Sequence, residues 1–119
     1  MEKQEMINAN IYCCSHKYYV IKKNNKMHVY DYKHHLIFET KPIKNIIYGT
    51  FVDEDTVYFG STMKRLIYRI KVEDKQVDRI RYTDFLYSDT SCIYKIKDNI
   101  YVFYTGHEKK ESILNMGVP

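Results

Sequence analysis

The chain between residues 46 and 81 holds four short runs of residues, mostly apolar, separated by three polar segments. Most of these runs are rich in Ile, Val, Tyr or Phe and too short for helices, which is typical of strands. The segments between them carry Asp, Glu, Lys, Ser and Thr, residues that favour turns. The pattern therefore predicts four strands joined by tight turns, at residues 46–52, 56–60, 65–71 and 76–81.

Parts of this pattern recur elsewhere in the chain. An Ile-Tyr pair opens an apolar run at residues 11–12, 47–48 and 93–94. A second apolar run follows each pair, and Tyr19, Val57 and Ile100 take equivalent places in it, separated by 38 and 43 residues. Self-similarity at such a period is typical of repeat architectures. We therefore expect an N-terminal tail at 1–9 and a single β domain at 10–119, with three repeats at 10–40, 46–81 and 91–119.

The strands of the central repeat differ in polarity. The first run has apolar residues on both faces, as a strand sandwiched between two sheets would, whereas the fourth keeps little beyond Val77 and Ile80. The third run alternates apolar residues with the polar Arg65, Arg69 and Lys71. This gradient fits a stack of antiparallel four-stranded meanders.

Several short motifs resemble those of the WD40-type propeller repeat. Tyr30-Asp31 occupies the place of the aromatic-Asp pair that closes the third strand, and Gly60-Ser61 and Thr105-Gly106 follow second strands. The second copy has Tyr68-Arg69 where the family has Trp-Asp, the chain contains no Trp, and Gly106-His107 follows a second strand instead of preceding a first. The resemblance spans residues 10 to 115 and implies meanders like the blades of a β-propeller.

The number of strands limits how such a fold can close. About eleven strands fit between residues 10 and 115, whereas closed propellers use about four to eight four-stranded blades. An open stack would leave two apolar sheet faces uncovered, and these would need a second copy or another partner. We therefore expect an all-β protein that forms a partial or oligomer-completed propeller, with a small β-barrel or sandwich as the alternative.

Composition and charge are those of an ordinary globular protein, with 45% hydrophobic and 29% charged residues. The net charge of +4 is spread along the chain, without the basic block that nucleic-acid-binding domains usually have. Three cysteines make an odd number, which does not indicate a disulfide framework. No apolar run has the length of a membrane span. We therefore expect a cytoplasmic or nuclear protein that does not enter membranes.

Residues that could support catalysis or bind metal lack the necessary spacing. No Cys or His pairs have the spacing of a zinc site, and the adjacent His34 and His35 would point to opposite faces of a strand. A cysteine could act as a nucleophile with His16 or His107 as its base, but no sequence signature of a catalytic nucleophile surrounds any of the cysteines. We predict no metal, no cofactor and no enzymatic activity.

One basic and aromatic segment is a candidate binding surface. Lys22, Lys23 and Lys26 flank a predicted turn, and Tyr30 and Tyr32 follow closely. Single-stranded nucleic acid binds to such mixtures, because aromatic rings stack on bases while Lys contacts phosphate. The simpler interpretation is an Asn-rich hairpin turn with Lys for solubility. These five residues are the predicted interaction surface.

The function that fits these features best is a non-catalytic protein–protein interaction module or a subunit of a larger complex. Its β scaffold would present Tyr side chains as anchors, as interfaces often do. One alternative is a small inhibitor or immunity-type protein of a bacterium or virus. The other is a β-sheet protein that binds RNA or single-stranded DNA. A protein partner or a homo-oligomer is the expected assembly.

Overall fold

The computed structural model describes residues 11–62, 65–82, 88–106 and 111–115, and within the last range only the side chain of Ile113. The predicted tail at 1–9, His107 and the end of the third repeat at 116–119 lie outside these ranges. All regular secondary structure in the described part of the chain is β-strand, so the expected all-β class is confirmed. The strands form three separate antiparallel sheets and not one closed barrel.

The first sheet is a four-stranded meander in which each strand pairs with the next. Asn24 and Asn25 form its central turn with φ of 54° and 62°, the left-handed pair that a two-residue hairpin requires. The predicted Asn-rich hairpin is therefore present. The strands are β1 (Ile11–Cys14), β2 (Tyr18–Lys23), β3 (Lys26–Asp31) and β4 (Leu36–Glu39).

The middle sheet is a second four-stranded meander, close to the strand limits predicted from the sequence. Its first turn is closed by Asp53, whose Oδ1 accepts a hydrogen bond of 3.0 Å from the Asp55 amide. Arg65 has a φ of 55° and therefore precedes the third strand instead of starting it. The strands are β5 (Ile46–Asp53), β6 (Thr56–Ser61), β7 (Leu66–Lys71) and β8 (Gln76–Arg81).

The third sheet contains three described strands, in the order β9, β10, β11. Its first strand begins at Ser88, earlier than residue 91, where the repeat was predicted to begin. The register shifts between Phe103 and Tyr104, whose partners are Cys92 and Thr90, so Ser91 is the extra residue of this strand. The strands are β9 (Ser88–Ile96), β10 (Asn99–Gly106) and β11 (Glu111–Asn115).

The three sheets stack with the middle sheet between the other two. Alternate residues of a strand point to opposite faces, so each strand of the middle sheet can contribute to two cores. Val57 and Phe59 pack with Val20 and Val29 of the first sheet. On the opposite face, Tyr58 packs with residues of the third sheet, including Ile93, Ile100 and Val102. Strand β5 contacts both β1 and β9, so the first strands of the three sheets are neighbours.

The third sheet approaches the middle sheet very closely at Gly60. A side chain at this position would collide with the Cβ of Thr90 in β9. The same strand is attached to the end of the middle sheet by Tyr82, whose hydroxyl accepts hydrogen bonds of 3.2 Å from Ser88 and Thr90. The ring of Tyr82 lies edge-on to Tyr104 at 5.1 Å. Gly60 and the buried Tyr82 therefore determine where the third sheet packs against the middle sheet.

Candidate interaction surface

The outer face of the third sheet has an apolar centre that no further strand among the described residues covers. Strand pairing places six apolar or aromatic residues there, because Ile93, Ile100 and Val102 alternate with them and point to the middle sheet, and it places Thr105 and Glu111 on the same side at one end of the sheet. None of the six is Lys, Arg, Asp, Glu or His. We name this surface the open face, and its residues are Cys92, Tyr94, Ile96, Tyr101, Phe103 and Ile113.

The exposure of the open face is high for such large apolar side chains. Tyr94 is 52% exposed, Ile96 56% and Ile113 59%. Tyr94 packs edge-on against Phe103 with ring centroids 5.9 Å apart, so the two rings form a shared aromatic surface. Single exposed apolar residues are common on proteins, but a contiguous group on one sheet face marks an interaction site.

The repeat pattern makes the exposure of Tyr94 notable. Tyr94 belongs to the third Ile-Tyr pair of the sequence, and its counterparts in sequence are Tyr12 and Tyr48, although Tyr48 pairs with Gly60 and Tyr94 with Tyr101, which are different positions of the strand register. Tyr12 packs in the core between the first and middle sheets, and Tyr48 packs in the core between the middle and third sheets. Each of these tyrosines thus faces the next sheet of the stack, and the third faces solvent.

The same relation holds on the second strands of the sheets. Val20, Tyr58 and Tyr101 directly follow the equivalent residues Tyr19, Val57 and Ile100. Val20 is 0% exposed and Tyr58 is 1% exposed, because the next sheet covers each of them. No further sheet formed by the described residues covers Tyr101, which is only partly buried. The open face is therefore the surface that the other two sheets use for stacking.

The outer face of the first sheet is different, because its own aromatic residues cover part of it. Tyr19 lies on this face and is nevertheless only 2% exposed. The ring of Tyr30 stacks on the ring of Tyr19 with centroids 5.3 Å apart, and the ring centroid of Tyr32 lies 5.5 Å away. The Tyr19 hydroxyl is 2.8 Å from Nδ1 of His34. We name Tyr19, Tyr30, Tyr32 and His34 the tyrosine cap.

The turn that carries the tyrosine cap is held by Asp31. Its Oδ1 accepts hydrogen bonds of 2.9 Å from the amides of Lys33 and His35. The bond from the His35 amide, and to a smaller extent the bond from Lys33, hold the pKa of the Asp31 carboxyl below its usual range. The prediction that His34 and His35 lie on opposite faces of a strand is wrong, because both lie in this turn. His34 has a φ of 66°, and Nδ1 of His35 lies 3.5 Å from the Asp31 carboxylate.

The structure divides the five residues of the predicted interaction surface between two faces. Lys22 points inward, where its Nζ donates to the carbonyl of Ile46 at 3.1 Å and lies 5.8 Å from the ring of Tyr12. Tyr30 and Tyr32 belong to the tyrosine cap on the outer face. Tyr32 also donates from its hydroxyl to the carbonyl of Ser15 at 2.7 Å.

The two remaining lysines lie at the hairpin turn. Lys23 ends β2 and is exposed. Lys26 begins β3 and forms an ion pair of 3.3 Å with Glu39 of β4. Lys23 is therefore exposed, and the strand register places it on the outer face with Lys26 and Tyr30, whereas Lys22 lies on the opposite face.

Cysteine and histidine side chains do not form a catalytic or metal-binding group in the described ranges. Burial raises the pKa of Cys13 to about 12, and the neighbouring Cys14 adds to this effect, so the Cys13 thiol stays neutral. His16 is almost fully exposed and lies 3.1 Å from Glu54. No group of three His, Cys, Asp or Glu residues is placed to hold a metal ion within the ranges that the structure describes.

A cleft of about 560 Å³ opens between the first and middle sheets. Lys41, Lys75 and Arg79 line it together with apolar residues. Thr40 also lines it, but its Oγ1 accepts from the amide of Met27 at 3.0 Å and donates to the carbonyl of Lys41 at 2.8 Å. The described residues that line the cleft therefore include no free Ser, Thr or Cys nucleophile with an adjacent base.

The open face gives only a weak signal in the sequence. In residues 93–96 and 100–103, apolar residues occupy nearly every position instead of alternate ones, which is typical of a strand covered on both faces. The sequence therefore suggests a covered strand, but only the stacking order reveals which face is left open.

Comparisons with known proteins give no match. No protein-family model matches the chain, and no curated protein or solved structure resembles it significantly. Among the residues described, no helix is long and apolar enough to cross a membrane.

Proposed function

We propose that this chain is a non-catalytic protein–protein interaction module, built on a scaffold of stacked, propeller-like sheets, and that the open face is its binding surface. The observation that carries the proposal is the exposure of Tyr94. Its two counterparts in the chain, Tyr12 and Tyr48, are packed against a neighbouring sheet.

Three properties of the open face support this function. Its six residues are contiguous and carry no charge, so a partner can cover them without burying one of their side chains as an unpaired charge. It presents Tyr and Phe, which lose little conformational freedom on binding and are frequent anchors at interfaces. It lies on paired strands instead of a loop, so the side chains are held in place before the partner arrives.

The alternatives have less support. Binding of RNA or single-stranded DNA at the hairpin would need lysines beside exposed rings, but Lys22 points inward and Lys26 is paired with Glu39. Function as an inhibitor or immunity-type protein is a special case of the proposed module, since such a protein also acts by covering a partner. The open face serves equally in that role.

A photo-reactive amino acid in place of Tyr94 tests the proposal in cells that produce the protein. Tyr32 is the matched control, because the two tyrosines are 52% and 51% exposed and lie on opposite ends of the stack. We expect irradiation to cross-link a partner chain through position 94 and not through position 32. No adduct at position 94, or equal adducts at both positions, would contradict the proposed function.

A further inference from the structure

The first and middle sheets contact each other along their inner strands and leave a gap at their outer strands. Val57 and Phe59 of β6 face the first sheet and are 0% exposed. Arg79 of β8 pairs with Tyr68, which belongs to the same core, so the register turns Arg79 toward the first sheet as well. Arg79 is nevertheless exposed. The core between the two sheets therefore ends before it reaches Arg79, and the cleft of about 560 Å³ lies where the core ends.

The inner wall of this cleft is apolar. Ile43, in the segment after β4, and Tyr68 of β7 line it and are each 8% exposed. Phe38 of β4 and Val77 of β8 also line it and pack against the same core. The volume lies within the range of small-molecule sites, about 300–1,000 Å³, which are mostly apolar with a few polar groups. The cleft therefore has the size and the lining of a site for an organic molecule.

The same cleft carries an excess of positive charge. Its three cationic side chains are exposed and form no ion pair with any described residue, and they are Lys41, Lys75 and Arg79. Glu39 lines the cleft too, but its carboxylate lies 3.3 Å from Nζ of Lys26 and 3.8 Å from Nε2 of His28. The negative charge of Glu39 is therefore compensated, and the unpaired cations favour an anion in the cleft.

We propose that this cleft binds a small organic anion, with its carboxylate or phosphate group against Arg79 and its apolar body on the inner wall. The planar guanidinium of an arginine can donate two parallel hydrogen bonds to either head group. An inorganic anion would leave the apolar wall in water, whereas an uncharged molecule would desolvate the cations without pairing them. The cleft lies away from the open face, so this inference does not rest on the proposed function.

Amide chemical shifts of the isotope-labelled full chain test the inference by titration with four probes. Naphthoate and naphthyl phosphate combine a flat apolar body with the two head groups, naphthylmethanol has the body without the charge, and inorganic phosphate has the charge without the body. We expect naphthoate or naphthyl phosphate to shift the signals of residues 38–43 and 75–79, and the tighter of the two assigns the head group. Naphthylmethanol and inorganic phosphate should each bind about tenfold more weakly or less.

Two matched variants test the role of Arg79. Arg79→Gln removes a charge from the cleft, and Arg81→Gln removes the same charge from the same strand at a residue that does not line the cleft. Both side chains are exposed, so both variants should fold, and the amide spectra verify that they do. We expect Arg79→Gln to weaken binding of the anionic probe about tenfold or more. Arg81→Gln should change it less than about twofold, because salt screens a charge outside the site.

Three results would overturn the inference. They are no saturable shift at residues 38–43 and 75–79 with either anionic probe, binding of naphthylmethanol as tight as that of the anions, or equal losses in the two variants. Cross-linking through position 94 reports on the third sheet, so either proposal can fail while the other stands.

Discussion

Replacing Phe59 by alanine is expected to lower the free energy of unfolding by about 3–5 kcal/mol. Phe59 is 0% exposed and lies in the core between the first and middle sheets, with its ring 5.8 Å from that of Tyr12. Removal of the ring loses the free energy gained by burying it. It also leaves a cavity, because strand pairing holds both sheets in place and prevents them from closing the space. A domain of ordinary stability, about 5–15 kcal/mol, would lose a large part of it.

Urea unfolding of the Phe59→Ala variant measures this loss, and Phe103→Ala is the control. Phe103 is the same residue type on the open face, where a single chain leaves it partly exposed. Both variants are measured at the same low protein concentration, so that any association between chains does not contribute to the comparison. We expect Phe103→Ala to cost less than half as much. Equal losses would mean that the sheets do not stack in the order described.

Replacing Gly60 by alanine is expected to destabilise the protein by about 1–3 kcal/mol, because the new Cβ would overpack the contact with Thr90. The sign of this effect is informative. A glycine in an open strand costs about 0.5–1 kcal/mol relative to alanine, so at an uncrowded position the substitution would stabilise the chain. Only the close approach of β9 to β6 reverses that expectation.

A double-mutant cycle with Thr90→Gly tests whether this contact is the cause. Removing the Thr90 side chain vacates the space that the alanine methyl needs, so the double variant should be more stable than the sum of the single effects predicts. The cycle also subtracts the loss of the hydrogen bond from Thr90 to Tyr82. Additive effects, or a Gly60→Ala variant as stable as the parent, would show that the third sheet is seated elsewhere.

The strands of the middle sheet follow closely from the sequence because their signals are local. Alternation of apolar residues and turn-forming polar residues predicts 76–81 for the fourth strand, which is β8 in the structure. The hairpin at Asn24 and Asn25 has the same basis, since these residues tolerate the left-handed backbone of a tight turn. The all-β class follows from the sum of such signals.

The environment of each face depends on packing between sheets, and local patterns contain no information about it. Arg69 alternates with apolar residues and has the appearance of a solvent-facing side chain, yet only 14% of its side chain is exposed. It lies between Tyr58 and Asp78 on the neighbouring strands and donates to Asp78 at 2.8 Å. This hydrogen bond holds the pKa of Asp78 below its usual range.

The candidate site shows the same limit. Lys22 and Tyr30 are close in sequence, but they point to opposite faces of the first sheet, and only the sheet register reveals this. The expectation that an open stack leaves two apolar faces could be made from strand number alone. That one face is capped by Tyr19, Tyr30, Tyr32 and His34 while the other is open required the positions of the side chains.

The exposure of Tyr94 in solution is the most direct test of the open face as the binding surface. Hydroxyl-radical labelling followed by mass spectrometry compares its oxidation rate with that of Tyr32, which is equally exposed in the single chain. The account predicts that Tyr94 is oxidised several-fold more slowly than Tyr32 in the cells that produce the protein, where the partner is present, and that the two rates are equal in the purified chain at high dilution. Equal rates in the cells would contradict it.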